Sequence, residues 1–417
     1  MIARPFIAQI RTPLLLGALL GAITWDAAAE DWPRWRGPNL NGISAEKGWQ
    51  TAWPAGGPKQ LWRASVGTGF ASLAVSNGRV YTMGNDAGQD TVHCLDASTG
   101  KPIWTHSYPC PVESNNYEGG PNATPTVDGD RVYTLSKRAQ LFCLDAASGK
   151  VVWSKNLMEQ LGVTKPQWGF AGSPLVQGNL VILNVGTAGT AVDKATGKVV
   201  WSNGKGAAGY ATPVPFTQGN RTGVAIFGAK ALLAVDPATG RGLWSYPWET
   251  SYDVNSADPI VSGDLFFISS GYNRGCALVR AQGASAANVW ENKNMKHHFN
   301  PGVLIGGFIY GIDGQSGNGA TLNCLDLKTG EIKWSQRGIG SGSLIAADGK
   351  LIVLGNQGEL IVAEASPTAF KAIARAQVLG GKCWTAPVLA NGRIYCRNAR
   401  GDLVCLDVKG QLGIGRG

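Results

Sequence analysis

The phrase LDASTGKPIW, starting at Leu95, returns as LDAASGKVVW from Leu144, VDKATGKVVW from Val192, VDPATGRGLW from Val235 and LDLKTGEIKW from Leu325. Degenerate copies end at Trp290 and, without a tryptophan, near Ala374. The closing tryptophans Trp104, Trp153, Trp201, Trp244, Trp290 and Trp334 fall 43 to 49 residues apart. Such a period belongs to stacked supersecondary units, none of which can bury its apolar face alone. The 417 residues therefore read as one repetitive body rather than two or three unrelated domains.

Each unit has the same grammar. A short apolar run, a Gly-bearing turn and a second run, as in ATPTVDGDRVYTLS from Ala123, lead to a third run such as QLFCLD. The Asp of the phrase can bond turn amides and its Gly supplies positive φ. The stretch KVVW then alternates as a fourth strand. Four antiparallel strands per unit describe a propeller blade. Abundant glycine (58 residues) and sparse charge (16%) suit short strands joined by tight turns.

Counting the first two strands of each unit predicts an all-β, eight-bladed propeller over residues 58–410. The eighth unit lacks a fourth strand, because the chain ends soon after VCLDVKG. The segment PKQLWRASVG around Trp62 is an orphan fourth strand, so the N-terminal segment is expected to close the last blade and remove an open sheet edge. Residues 30–57, rich in Trp, Pro and Gly, are expected to form an irregular strap over the propeller, and 411–417 a C-terminal tail.

Residues 1–29 read as an export signal: Arg4 and Arg11 at a basic start, an apolar stretch from Pro13 to Ile23, and Ala27-Ala28-Ala29 as a small-residue cleavage site. The apolar run is shorter than a transmembrane span of about 20 residues. The expectation is a periplasmic or secreted monomer cleaved near Ala29. The formal charge of +9 is spread along the chain without a Lys/Arg block, which argues against nucleic acid as a partner.

At this point the residues resemble the quinoprotein-dehydrogenase-like propellers with pyrroloquinoline quinone (PQQ)-type repeats. The matching element is the D-x-x-T/S-G-K-x-x-W phrase, and the opening DWPRWRGPNLNGIS is similar to that of exported bacterial members. The resemblance implies that each Trp packs on the Gly turn of an adjacent blade, with Gly100, Gly149, Gly197, Gly240 and Gly330 as the receiving positions. It implies two functional outcomes: PQQ-dependent alcohol dehydrogenases, and a cofactor-free propeller of outer-membrane protein assembly.

If the repeats are scaffold, function lies where equivalent positions differ. Three residues before the Pro or Leu that opens each innermost strand stand Phe70, Asn122, Ala171, Tyr210, Ser256, His298, Ser341 and Trp384. These loops converge at one mouth of a propeller, which makes an axial ligand funnel, with Glu118, Trp168, Asp253, Asn255, His297, Asn300 and Lys382 on or near its rim. A PQQ enzyme would hold its quinone on an aromatic face there and bind Ca²⁺ through Glu, Asn and Asp oxygens; Glu118, Asn122, Asp253 and Asn255 have those chemical types. Against that reading, no two cysteines are adjacent, as they are in the dehydrogenases, and no C-x-x-C-H haem motif is present.

His297-His298 does not make a metal site, since neighbours on a strand point to opposite faces. Cys94, Cys143, Cys324 and Cys405 share one repeat position and are expected to fill buried slots. Cys396 and Cys405 are expected opposite each other in a hairpin turning at Arg400-Gly401, a placement compatible with a disulfide. No nucleophile elbow, zinc-protease, phosphate-loop or calcium-loop motif occurs. The sequence therefore reads first as an exported binding or assembly scaffold for an envelope protein, polymer or small ligand, with no cofactor expected. The alternatives are a PQQ- and Ca²⁺-dependent alcohol or sugar dehydrogenase and a carbohydrate-binding propeller.

Overall fold

The computed structural model describes residues 1, 29–114, 117–315 and 319–410. The segment expected to be an export signal, apart from its two end residues, and the 411–417 tail lie outside the described residues. Eight sheets are arranged as eight consecutive blades. Blade 1 comprises Ala74–Ser76, Arg79–Asp86, Gln89–Asp96 and Pro102–Pro109, each strand antiparallel to the next. Blades 2 to 7 repeat that order from innermost strands Thr126–Asp128, Leu175–Gln177, Val214–Gln218, Ile260–Ser262, Val303–Ile305 and Ser343–Ala347.

Blade 8 is completed by the other end of the chain. Val388–Ala390, Arg393–Arg397 and Asp402–Asp407 are joined by Lys59–Ser65, which runs antiparallel to Asp402–Asp407 with Trp62 opposite Cys405. The closure expected from the orphan strand is thus observed. Across the seam, the fully buried Arg397 of blade 8 donates to the carbonyls of Gly67, Gly69, Ala71 and Met83 and to the Thr82 hydroxyl of blade 1, at 2.8–3.1 Å. Burial pulls its pKa down to about 10. No carboxylate faces it in these bonds, so backbone dipoles and the Thr82 hydroxyl stabilise the charge.

The recurring phrase builds the contacts between blades. Asp96 accepts bonds from the amides of Ser98 and Thr99, and the chain then turns through Gly100 at φ 70°. A Cβ on Gly100 would lie 2.6 Å from the Trp62 ring, and one on Gly149 2.5 Å from Trp104. Gly197 receives Trp153, Gly240 receives Trp201 and Gly330 receives Trp290 in the same way. The indole N–H of each docking Trp donates to a carbonyl of that neighbouring blade, as in Trp104 to Ala146 (3.0 Å) and Trp153 to Lys194 (3.1 Å). Trp334 donates instead to Ser366 of blade 7, whose loop has no docking glycine.

Trp244 departs from the expected pattern. Blade 5 replaces the Asp-Gly phrase with a tight turn between Gly275–Gln282 and Ser285–Asn292. With no glycine platform, Trp244 packs edge-on against Phe266, and its indole N–H has no acceptor among the described residues.

The cysteines also correct one expectation. Tyr81, Tyr133, Tyr310 and Tyr395 stand opposite Cys94, Cys143, Cys324 and Cys405 in four blades, so these thiols fill repeated buried slots beside a phenol. Cys396, however, pairs with Val404 and not with Cys405. The Asn398 side-chain oxygen accepts from the amides of Arg400 and Asp402, giving a turn that shifts the register by one residue. Cys396 and Cys405 therefore point to opposite faces of the sheet, and both are free thiols.

The segment after Asp31 crosses the propeller axis. Trp32 bridges Val75 of blade 1, the Pro33 carbonyl accepts from Val127 of blade 2, and Leu40 packs against the core between blades 3 and 4. Arg36, buried, donates to Pro301 and Gly302 of blade 6, while Ile43–Ser44 pairs in parallel with the innermost strand of blade 7. Residues 32–44 thus touch innermost strands around the ring and fill the channel as an axial plug.

The docking contact gives a controlled test. Gly149→Ala and Gly129→Ala both place a side chain at positive φ, but only the first meets a neighbouring ring; the space around Gly129 is open. Urea unfolding should show Gly129→Ala costing about 1 kcal/mol and Gly149→Ala about 2–3 kcal/mol more. Equal midpoints for the two variants would remove the interblade role of the motif.

Candidate functional site

Opposite the plug the axis opens into a cup of about 250 Å³. Its wall is a belt of aromatic rings contributed by the loops that enter the innermost strands and, through Tyr272, by the turn between Leu265–Ser270 and Gly275–Gln282. Tyr117 contacts Phe70 at 5.6 Å between centroids, Phe70 stacks on Trp384 at 5.4 Å, Trp384 on Phe299 at 4.5 Å, and Phe299 on His298 at 3.9 Å. The series continues edge-on through Tyr272 and Tyr252 to Trp168, which sits tilted against Tyr210. Offset and edge-to-face contacts of this kind favour each other electrostatically, so the rings brace one another around the mouth.

Beneath the rings lies a girdle of oxygens two residues further along each strand. The Ser72 amide donates to Thr124 Oγ1 (3.0 Å), the Thr124 amide to Ser173 Oγ (2.9 Å), the Ser173 amide to Thr212 Oγ1 (3.0 Å), and the Thr212 amide to Asp258 Oδ1 (2.8 Å). Asn300 Nδ2 donates to the Trp384 carbonyl and Ser343 Oγ to that of Thr385. Each blade is thereby tied to another at the axis, and Thr124, Ser173, Thr212, Asp258 and Asn300 among these pave the floor.

The plug supplies the centre of that floor. Trp35 lines the cup, and its indole N–H donates to Asp258 Oδ2 at 2.6 Å. Asp258 is the one Asp, Glu, Lys or Arg among the described lining residues. Burial pushes its carboxyl up to about 6, against the opposing pull of the Arg36 charge, the Thr212 amide and the Trp35 indole.

Of the sequence candidates, Phe70, Asn122, Trp168, Ala171, Tyr210, Ser256, His298, Asn300 and Trp384 line the cup. Glu118 and Lys382 do not line it. They pair with each other at 2.8 Å, and the Lys382 ammonium sits 4.3 Å from the Trp384 ring centroid. Asp253 lies in the adjoining Ser251–Asp253 turn, close enough to raise the Tyr210 phenol electrostatically; burial is the larger cause and takes that group to about 12.

Asn255 and His297 are corrections. The Asn255 amide is buried beneath the rim, donating to the carbonyls of Gly228, Ala229 and Trp248 and accepting from Ser270 Oγ. His297 points away from the cup toward Phe267 and Gly311, and burial, aided by the Arg36 charge, lowers it to about 3. His298 faces the cup and is lowered by burial to about 4, so it is a neutral ring there at pH 7. The four oxygen-bearing residues named for Ca²⁺ do not assemble: Glu118 is taken by Lys382, Asn255 by backbone carbonyls, Asp253 stands outside and Asn122 lines the wall.

Trp35, Tyr117, Asp258, Tyr272 and Phe299 line the cup without having been singled out from sequence. Asp258 had a signal. The residue before the strand-opening Pro or Leu reads Ser72, Thr124, Ser173, Thr212, Asp258, Asn300, Ser343 and Ala386, and Asp258 is the single charge in that column. Lys137, buried and lowered by desolvation to about 8, contacts the Tyr117 hydroxyl behind the wall.

The Asp258 carboxyl is raised in the fold, so its contribution to stability is complete below its unfolded pKa, near 4, and is lost as pH rises through about 6. His297, lowered, contributes in the opposite sense: fully above 6.5, fading as pH falls. Asp258→Asn removes only the first effect. From pH 4 to pH 7, urea unfolding of the native protein should lose about 3 kcal/mol relative to that variant. Parallel pH profiles would contradict the buried carboxylate.

The model of the family described as outer membrane protein assembly factor BamB matches residues 46–120 and 112–336. BamB from Moraxella catarrhalis superposes with a TM-score of 0.60 at 16% identity, over 84% of this chain and 97% of that one. The quinohemoprotein alcohol dehydrogenase from Comamonas testosteroni gives 0.64 at 18%, over 92% and 82%. A europium-containing methanol dehydrogenase gives 0.62 at 12%, over 88% and 89%. At such identities these structures share the fold alone. Comparison with curated proteins gave no match. With its repeats, its eight closed blades and a family match across more than half of its length, the chain belongs to the PQQ-like propeller family of outer membrane protein assembly factor BamB.

Proposed function

We propose that the protein is exported and acts as a binding scaffold of the cell envelope, with the mouth of the aromatic cup as its working face. The observation that supports this reading is a cup closed from behind by the chain's own plug and lined by rings and hydrogen-bonding groups. Such a site can seat a side chain, a ring or a short segment of a partner. The family's described role in outer membrane protein assembly is in keeping with a scaffold, and an export signal over residues 1–29 would deliver the chain to that compartment.

The rival reading, a PQQ- and Ca²⁺-dependent oxidoreductase, fits the residues poorly. The quinone carries three carboxylates, whereas the lining offers no Lys or Arg and one carboxylate of its own. The oxygens named for Ca²⁺ are dispersed or already bonded, and among the described residues no group of three or more His, Cys, Asp or Glu is placed to hold a metal. No step is therefore derived through either group.

The mature chain, immobilised and incubated with envelope extract at native salt, should retain a partner that Trp384→Ala releases. In parallel, PQQ with Ca²⁺ should neither bind stoichiometrically nor support dye reduction with alcohols or sugars. Quinone-dependent turnover together with no retained partner would reverse the assignment.

A further inference from the structure

We propose that the cup takes a small organic cation, a quaternary ammonium or alkylated amine, with Asp258 as its counter-ion. The proposal rests on the binding role assigned to the cup above and adds the chemistry of what is bound.

Three observations converge. The wall is built of π faces and edges, including Phe70, Trp168, Tyr210, Phe299 and Trp384, and ring quadrupoles attract a cation that has shed its water. Asp258 is the only charged side chain of the described lining. An ionised carboxylate offers about four acceptor positions, and the bonds from Thr212 and Trp35 occupy two of them. The nearest buried cation, Arg36, lies behind Asp258 with its N–H groups turned to the carbonyls of Leu40, Asn41, Pro301 and Gly302. The pair therefore presents its negative end to the cup.

The same belt already uses this chemistry at its edge. The Lys382 ammonium lies 4.3 Å from the Trp384 centroid without lining the cup. An anion would meet aromatic faces and a carboxylate with no compensating donor charge. A neutral sugar could stack on the rings but would bring no charge of its own to the carboxylate, leaving only the Arg36 charge to offset it. A cavity of about 250 Å³ suits a head group of a few heavy atoms rather than a large cofactor.

The test is titration calorimetry, with intrinsic tryptophan fluorescence as a second readout, on the mature chain. Choline and tetramethylammonium should bind, and choline at least about tenfold more tightly than 3,3-dimethyl-1-butanol, its uncharged isostere. Asp258→Asn should cut that preference to the about two- to fivefold that the rings alone supply, and Phe299→Leu, which keeps an apolar side chain but removes a ring, should weaken choline about five- to tenfold. Phosphatidylcholine vesicles separate two sources of the same group: co-sedimentation competed by choline assigns a lipid head group, and its absence a free solute. Equal binding of the isostere, saturation by glucose in place of choline, or no heat and no fluorescence change with either cation overturns the proposal. Partner capture from envelope extract is read independently, so a scaffold without cation binding and a cation site without a scaffold role are distinguishable.

Discussion

Everything at the axis depends on how the ring is closed. Blade 8 has three strands of its own, and its fourth, Lys59–Ser65, comes from the opposite end of the chain. Arg397 then reaches across the seam into four carbonyls of blade 1, and Trp62 docks on Gly100. A buried guanidinium met by backbone carbonyls and one hydroxyl is tolerable because all of those acceptors are fixed at once; it holds the seam only in the closed ring. The price in folding is a contact spanning more than 300 residues, and non-local pairing of that kind is slow to form.

The seam and the cup share residues. Thr385 Oγ1 donates to the Phe70 carbonyl, Phe70 stacks on Trp384, and Lys382 pairs with Glu118, each contact joining the blade 8 loop to the loops around blade 1. The blade 8 side of the aromatic belt is therefore positioned by ring closure. The plug fixes the floor beneath it, since Trp35 binds the side chain that also accepts the Thr212 amide. Loss of either would leave the rings present but unregistered, and a cup depends on the relative placement of its rings.

What the sequence made legible follows from what repeats. The phrase ending in Trp104, Trp153 and Trp201 recurs because the interblade dock recurs, and so blade number, strand order and closure could all be counted. The cup was partly legible by the opposite logic, in the column where Phe70, Asn122, Tyr210, His298 and Trp384 differ. The neighbouring column carried Asp258 and was passed over, because its Ser and Thr members look like ordinary strand residues until their bonds around the axis are seen. Trp35 had no column at all: it belongs to an irregular segment whose position is set by tertiary contacts. The Cys396 and Cys405 register turned on one side-chain cap, Asn398, and Asn255 and His297 were misplaced because a one-residue difference along an extended segment reverses the side that a side chain faces.

The plug also explains why one fold can host unlike chemistries. A propeller of eight blades leaves an axial space whose walls are set by loops and whose floor must be furnished separately. Here the plug furnishes it with Trp35, while Arg36, held by carbonyls of the plug and of blade 6, does not itself line the cup. Arg36 in turn shapes the electrostatics on both sides: it opposes the upward shift of Asp258 and adds to the downward shift of His297. Burial chiefly, with Arg36 assisting, leaves His297 neutral between blades, and one carboxylate is turned to the cup. The irregular segment that looked like a covering strap is thus the element that decides what the axis presents to a ligand.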